Sequence, residues 1–362
     1  MKKILILTNN DVGLYKFRKE LIEKLVVENE VFISLPFGEY ISHFEKIGCT
    51  FINTPINRRG KNPFTDIKLL LNYRKIISEV KPDVVLTYTI KPNVFGGLAS
   101  RLKNVPYISN ITGLGTAVET SGWIQQLTLN LYRVGLKKAS CVFFQNEDNM
   151  KFFENRKIIT GKQRLIPGSG VNLDHFKLLD YPKGKNIEFI FIARIMKEKG
   201  IDQYLATAEF IKNKYPNTVF HILGECEESY MDILKDMQDK GSIVYHGRQD
   251  DVREFHNISN CTIHPTYYPE GMSNVLLESA ACGRPIITTD RPGCKEIVDK
   301  GINGYVVKER NSNDLIKKVE EFLKLSYEEK RSMGLNGREK VEKEFSRKIV
   351  VDSYMEEIFK EV

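Results

Sequence analysis

The sequence predicts an α/β protein built from two doubly wound parallel-sheet domains, and three observations carry that prediction. Short β-rich apolar runs alternate with helix-length amphipathic segments almost from end to end, the pattern of a parallel sheet covered on both faces. The alternation is interrupted once, at "IPGSGVNLDHFKLLDYPKGKN", a stretch rich in Gly, Pro, Asn and Lys without periodicity, and then restarts. At 362 residues the chain is long for one core, so two domains of ordinary size are expected.

In chain order, the first domain (residues 1–168) takes its strands from "KILILT", "EVFISLP", "TFINTPI", "DVVLTY", "PYISNI" and "SCVFFQN", with helices over 15–28 and 65–80 among those between them. Residues 169–185 read as a linker. The second domain (186–345) takes "IEFIFIAR", "TVFHILG", "SIVYHG", "CTIHPT", "RPIITTD" and "GYVV", and a last helix follows over 346–362. No internal repeat or low-complexity tract is visible.

The start, "MKKILILTNND", has too short an apolar run for a signal-peptide core, and no later run approaches a membrane span, so a cytoplasmic location is expected. The six cysteines include no Cys-x-x-Cys pair; they read as small core residues rather than zinc ligands or a disulfide framework. Net charge is +7 but unevenly placed: residues 1–168 hold 25 Lys+Arg against 14 Asp+Glu, and the remainder 29 against 33. A positive first half suits a phosphate-rich ligand or an anionic membrane surface, with a plain solvated basic face as the other reading; nothing suggests nucleic acid.

In open α/β sheets ligands sit beyond the carboxyl ends of strands, so the loops there are the candidate binding segments. After the first strand comes "TNNDVGLYKFRKEL", with Gly13 at a helix start. "TGLGT", beginning at Thr112 and Gly113, is a small-residue turn that lets backbone approach a ligand. After "IEFIFIA" stand Arg194 and, after four intervening residues, Lys199-Gly200. A cation at the end of an apolar strand needs an anion, either a structural ion-pair partner or a ligand; the spacing lets both cations converge on one diphosphate. In "YYPEGMSNVLLESAACG", Glu270 and Glu278 flank a helix start near Ser273. At about 100° per residue they cannot share a face of one helix, which puts Glu270 on the loop. Gly271, Met272, Ser273 and Asn274 favour close approach and an N-cap, and a helix N-terminus offers unpaired N–H groups to an anion. A capped helix with two solvated carboxylates is the plainer alternative.

With Glu-x7-Glu, Arg194 and Lys199-Gly200 in place, together with "GVNLDHF", "PEGMSNVLLESAACGRPIITTDRPGCKEIV" and "GINGYVV", the chain resembles the retaining glycosyltransferases of family 4 nearly end to end. "YTIKPNVFGGLASR" and "NITGLGT" are similar to the bacterial subgroup that builds capsule, O-antigen or protein-linked glycan on a polyprenyl-diphosphate carrier. The resemblance implies a GT-B fold, two Rossmann-like domains facing a central cleft. It implies a nucleotide sugar, UDP-linked by the subgroup's habit, held by the second domain, and a lipid-linked saccharide acceptor on the first, with the last helix crossing back to the first domain. Arg194 and Lys199 match the family's diphosphate ligands, Glu278 its ribose ligand and Glu270 its donor-sugar contact, with backbone N–H groups from Gly271, Met272 and Ser273. No Asp-x-Asp occurs, so no metal or other cofactor is expected.

One position departs from the family. Thr112 stands before Gly113 where many members carry a histidine, and a threonine cannot act as a base near neutral pH. The departing phosphate is then the favoured base. His221, His246 and His264 read as satisfied core histidines within strands, and His43 lies in a helical stretch. For the acceptor side, the helix in "GWIQQLTLNLYRVGLKKAS" carries Ile124, Leu127, Leu131 and Val134 on one face, read as core in preference to a bilayer-facing stripe. The basic loop "INRRGKNPF" is read equally as a lipid-diphosphate contact or a solvated turn. Two rival functions stay open: an epimerase of like architecture acting on a nucleotide sugar, and a subunit that binds a nucleotide sugar without turnover.

Overall fold

A computed structural model describes residues 1–57, 60, 62–114, 118 and 122–360. The chain divides into two compact units, Met1–Ser169 with Arg347–Val362, and Gly170–Ser346. Unit 1 carries a seven-stranded sheet, β3-β2-β1-β4-β5-β6-β7, with every pairing parallel. Its strands are β1 (Lys3–Leu7), β2 (Glu30–Leu35), β3 (Thr50–Asn53), β4 (Val84–Tyr88), β5 (Tyr107–Ile111), β6 (Cys141–Phe144) and β7 (Gln163–Leu165). The three-residue β7 at the sheet edge is absent from the sequence reading, because a run that short has no period to detect. Helices are α1 (Asp11–Val26), α2 (Ile41–Lys46), α3 (Pro63–Val80), α4 (Gly97–Leu102), α5 (Trp123–Leu136) and α6 (Glu147–Asn155).

Unit 2 repeats the design with a six-stranded parallel sheet, β10-β9-β8-β11-β12-β13. The strands are β8 (Ile187–Ile192), β9 (Thr218–Leu223), β10 (Val244–Tyr245), β11 (Cys261–His264), β12 (Ile286–Thr289) and β13 (Gly304–Val307). Its helices are α7 (Ile201–Lys214), α8 (Met231–Asp239), α9 (Arg253–Ile258), α10 (Asn274–Ala281), α11 (Ser312–Lys324) and α12 (Tyr327–Glu344). All six cysteines are free and five are buried.

Alternation along β1 sorts the core of unit 1. Ile4 and Ile6 pack with α1, α2 and the last helix, α13 (Arg347–Phe359), whereas Leu5 and Leu7 pack with α3, α4 and α5 on the other face. Tyr354 anchors α13: it is 1% exposed, its ring lies 4.6 Å from that of Phe143, and its hydroxyl accepts a 2.8 Å hydrogen bond from Asn110 Nδ2.

Two expectations are corrected. Residues 170–185 are part of unit 2, not a linker. Their irregular backbone is held because long cationic side chains reach its carbonyls. Arg284, fully buried, donates from Nε to the His256 carbonyl at 2.6 Å and from Nη2 to that of Asp180 at 2.8 Å; Arg338 bridges the carbonyls of Phe176 and Ala281. The second correction concerns α5. It buries Leu129, Tyr132, Gly135 and Leu136, not the expected stripe; Leu127 and Val134 are exposed. Gly135 decides the rotation, since a Cβ there would lie 2.6 Å from Val94 Cα, so this face must turn inward.

Because Arg284 satisfies several backbone acceptors and has no exposure to water, Arg284→Ala is expected to destabilise the protein by about 3 kcal/mol. Urea denaturation checks this, and proteolysis should then cut within 170–185 first.

Candidate active site

Three loops at the carboxyl ends of β8, β9 and β11 are drawn together by backbone contacts too close for side chains. Gly224, at φ +147°, lies where a Cβ would be 1.7 Å from the Ala193 carbonyl oxygen; Gly200, at φ +81°, lies where a Cβ would be 2.1 Å from that of Pro265. No other residue fits either place. Hydrogen bonds complete the join. Ile195 N–H donates to the Glu225 carbonyl at 2.8 Å, and Tyr267 N–H to the Glu198 carbonyl at 2.9 Å. The loop after β8, which carries both expected cations, is thus fastened to a neighbour on each side.

On that frame Arg194 and Lys199 converge on one side chain. The Arg194 guanidinium lies 5.5 Å and the Lys199 ammonium 4.6 Å from the centre of the Tyr268 ring. Each also has a carboxylate: Arg194 Nη1 donates to Glu227 Oε2 at 2.8 Å, and Lys199 Nζ donates to Glu270 Oε1. The Lys199 and Glu270 side chains are 11% and 18% exposed, so this pair is largely desolvated, whereas the Arg194 side chain is 38% exposed. A shielded pair interacts far more strongly than an exposed one, and an anion reaching Lys199 meets a cation that water screens poorly.

Glu270 lies on the loop and Glu278, half-buried, inside α10. Gly271, Met272 and Ser273 are buried and Asn274 is half-buried; Ser273 is the N-cap, positioned by its N–H bond to the Gly293 carbonyl at 2.8 Å. Its side chain makes no cap bond to the helix amides, in contrast to Asn10, Asn146, Asn311 and Ser326 at α1, α6, α11 and α12. The positive end of α10 thereby stays available to an anion.

Beneath the pair lies a buried layer. His264 is 2% exposed and neither ring nitrogen has a hydrogen-bond partner, which corrects its reading as a satisfied core histidine. Burial first, and the Lys199 charge second, pull its imidazole down to about 3. His256 in α9 likewise has two unpartnered ring nitrogens and is pulled to about 3, by burial and then by Arg284. His221 is satisfied, with His246 at 2.9 Å and Glu188 at 2.8 Å; His246 follows β10 rather than lying within it.

Arg194, Lys199, Glu270 and the start of α10 therefore belong to unit 2, whereas Gly13, Thr112 and Gly113 belong to unit 1. Gly13 stands in the first turn of α1, where its N–H donates to Oδ1 of the capping residue Asn10 at 2.6 Å and is not a free donor. Thr112 is exposed just after β5, and Gly113 takes φ +141°. Gly115 and Thr116 of the same turn lie outside the described residues, as do Arg58, Arg59 and Lys61 of the basic loop. Sequence reasoning missed Glu227, Tyr268 and Gly224. The glycine ending "TVFHILG" was a signal for the close crossing, but no spacing rule ties Glu227 to Arg194. Among the described residues, no cluster of three or more His, Cys, Asp or Glu could hold a metal ion.

Residues 177–340 match the family described as "Glycosyl transferases group 1", and residues 4–146 match "Glycosyl transferase 4-like". The chain is 28% identical, over 88% of both sequences, to the N,N'-diacetylbacillosaminyl-diphospho-undecaprenol alpha-1,3-N-acetylgalactosaminyltransferase of Campylobacter jejuni. It is 25% identical to the UDP-Gal:alpha-D-GlcNAc-diphosphoundecaprenol alpha-1,3-galactosyltransferase of Escherichia coli, over 75% of this chain and 73% of that one. A glycosyltransferase structure from Rickettsia africae superposes with a TM-score of 0.82 at 19% identity, covering 100% of this chain and 99% of the other, which shows the fold.

His256 and His264 make stability depend on pH. Both are neutral when folded but titrate near the ordinary 6.5 when unfolded. Their contribution is therefore complete above that value and lost as pH falls toward 3, by about 1.4 kcal/mol per pH unit for each ring. Urea denaturation across this range is expected to give a slope that is shallower in His264→Phe. Gly224→Ala is expected to separate Arg194 from Glu227 and to lower the melting temperature, read by differential scanning calorimetry.

Proposed function

This chain is a member of the glycosyltransferases, a 4-like domain followed by a group 1 domain on the GT-B fold, and from that premise we propose that it transfers a hexose or N-acetylhexosamine from a UDP-linked sugar, with retention, to a saccharide carried on a polyprenyl diphosphate. The observation that carries the donor half is the convergence of Arg194 and Lys199 on Tyr268, beside the uncapped start of α10. The acceptor half is supported by the Campylobacter and Escherichia relatives, both named for diphospho-undecaprenol-linked acceptors. An epimerase or a non-catalytic subunit has no such support.

In this reading the diphosphate bridges Arg194 and Lys199, the first as a planar fork and the second as a point charge, with the α10 amides completing the anion site. Drawing Lys199 toward the diphosphate frees the Glu270 carboxylate to face the donor sugar, where positive charge builds at the anomeric carbon. Glu278 holds the ribose hydroxyls. The acceptor hydroxyl attacks the anomeric carbon from the face the diphosphate leaves; the C1–O bond breaks, its electron pair goes to the diphosphate, and the hydroxyl proton passes to a phosphate oxygen. Thr112 and Gly113, in unit 1, are assigned to substrate binding by the resemblance of their loop to the family's. No metal takes part, since the two cations supply the charge a metal would.

Arg194→Ala and Lys199→Ala are each expected to lower turnover about 10²- to 10³-fold; Arg194→Ala should leave the melting temperature within a few degrees, whereas Lys199→Ala, which takes the cation from the shielded Glu270, should lower it further. The assay is UDP release with lipid-linked acceptors, and chelator should not change the rate. A change in the donor sugar without acceptor would instead indicate an epimerase, and full activity without Arg194 would refute the proposed diphosphate site.

A further inference from the structure

The crossings at Gly224 and Gly200 bring the origins of Arg194 and Lys199 to Tyr268, but long side chains keep several free torsions beyond the Cα atom, and contacts must hold their charged ends. Two kinds of partner do so. Each cation has a carboxylate of its own, Glu227 for Arg194 and Glu270 for Lys199. The Tyr268 ring is shared: its centre lies 5.5 Å from the Arg194 guanidinium and 4.6 Å from the Lys199 ammonium. The face of an aromatic ring carries negative potential without net charge, and at these distances it attracts a cation.

The two kinds of partner respond differently to an incoming anion. A diphosphate at Arg194 and Lys199 repels both carboxylates and competes with them for the same N–H donors. A ring has no net charge to set against the anion, so its contact persists while the carboxylates give way. The ring is also built into the frame of the site. Tyr268 N–H donates to Thr266 Oγ1 at 3.1 Å, and Thr266 Oγ1 donates to the Glu198 carbonyl at 3.3 Å, the acceptor that Tyr267 N–H uses as well. Glu198 immediately precedes Lys199, so the ring and the more shielded cation hang from one hydrogen-bonded unit. The Tyr268 hydroxyl has no hydrogen-bond partner among the described residues, which leaves the ring as the part the site uses.

We propose that Tyr268 is a positioning residue for the transfer, whose ring face holds Arg194 and Lys199 in their converged geometry and keeps them there as the diphosphate displaces their carboxylates. The assignment rests on the reading of Arg194 and Lys199 as diphosphate ligands, and adds that the affinity for the nucleotide depends on the electron density of this one ring.

The probe is UDP, titrated calorimetrically into the full chain. One cation–ring contact is worth roughly two- to thirtyfold in an equilibrium, the larger value for a cation shielded from water. Tyr268→Leu is therefore expected to weaken UDP about 10- to 30-fold, and Tyr268→Phe, which keeps the ring, to stay within about threefold of the parent. Because the contact is alike before and during transfer, KM for the nucleotide sugar should rise with the dissociation constant while kcat changes less than about threefold. The decisive readout is a series with phenylalanine and its mono-, di- and trifluorinated forms at position 268. Fluorine draws electron density from the ring face at nearly constant size, so UDP should bind more weakly at each step, whereas a ring that serves only as packing gives a flat series. The series keeps the shape of phenylalanine and so reads the ring even where the leucine variant fails to fold. A flat series, or UDP bound as tightly by Tyr268→Leu as by Tyr268→Phe, would overturn the role of Tyr268 alone where Arg194→Ala and Lys199→Ala still weaken UDP. If neither of those variants weakens it, the diphosphate reading is overturned and this proposal with it.

Discussion

Two backbone crossings set the geometry of the candidate site. The chain after β8 passes so close to Gly224 on one side and Gly200 on the other that each neighbouring carbonyl occupies the space of a side chain. A peptide plane is rigid, so fixing it at two points also fixes the origins of the side chains it carries. Arg194 and Lys199 start from this segment, and their meeting over Tyr268 follows from where their Cα atoms are held. Long cationic side chains on free loops would lose much conformational entropy on ordering; here the backbone ordering is already complete in the folded chain.

The same economy governs the charges. Placing a lysine at 11% exposure is unfavourable unless an anion meets it, and Glu270 does so from the adjacent loop. Below the pair, His264 stays neutral under the combined effect of burial and the lysine, so the layer beneath adds no opposing charge. In the proposed reading a diphosphate at this site would exchange one anion for another beside Lys199, a smaller perturbation than bringing charge into an apolar cleft.

Unit 1 shows what the overall charge of +7 conceals. Its cations are not evenly spread: the α1 and α13 face is laced with ion pairs, and the α4 and α5 face is left unpaired and partly apolar. Gly135 links this surface to the fold. Because only a glycine admits Val94 at that distance, α5 must turn Gly135 and Tyr132 inward, and the opposite side with Trp123, Leu127 and Val134 is carried outward.

The sequence by itself determined the alternating strands and helices, the restart near residue 187, the loop position of Glu270 and the helix start at Ser273, because each is written in local periodicity or in residues that cap and turn. It also indicated Arg194 and Lys199, since their strand-end and loop positions are local as well. Only the tertiary structure decided that residues 170–185 are built into unit 2, that the Gly13 amide is used by Asn10, that α5 faces outward along its apolar stripe, and that Glu227 and Tyr268 share the site with the cations. The physical reason is common to all four. Which side chain or carbonyl fills the space beside a residue depends on segments distant in the chain, and periodicity along one segment carries no record of them.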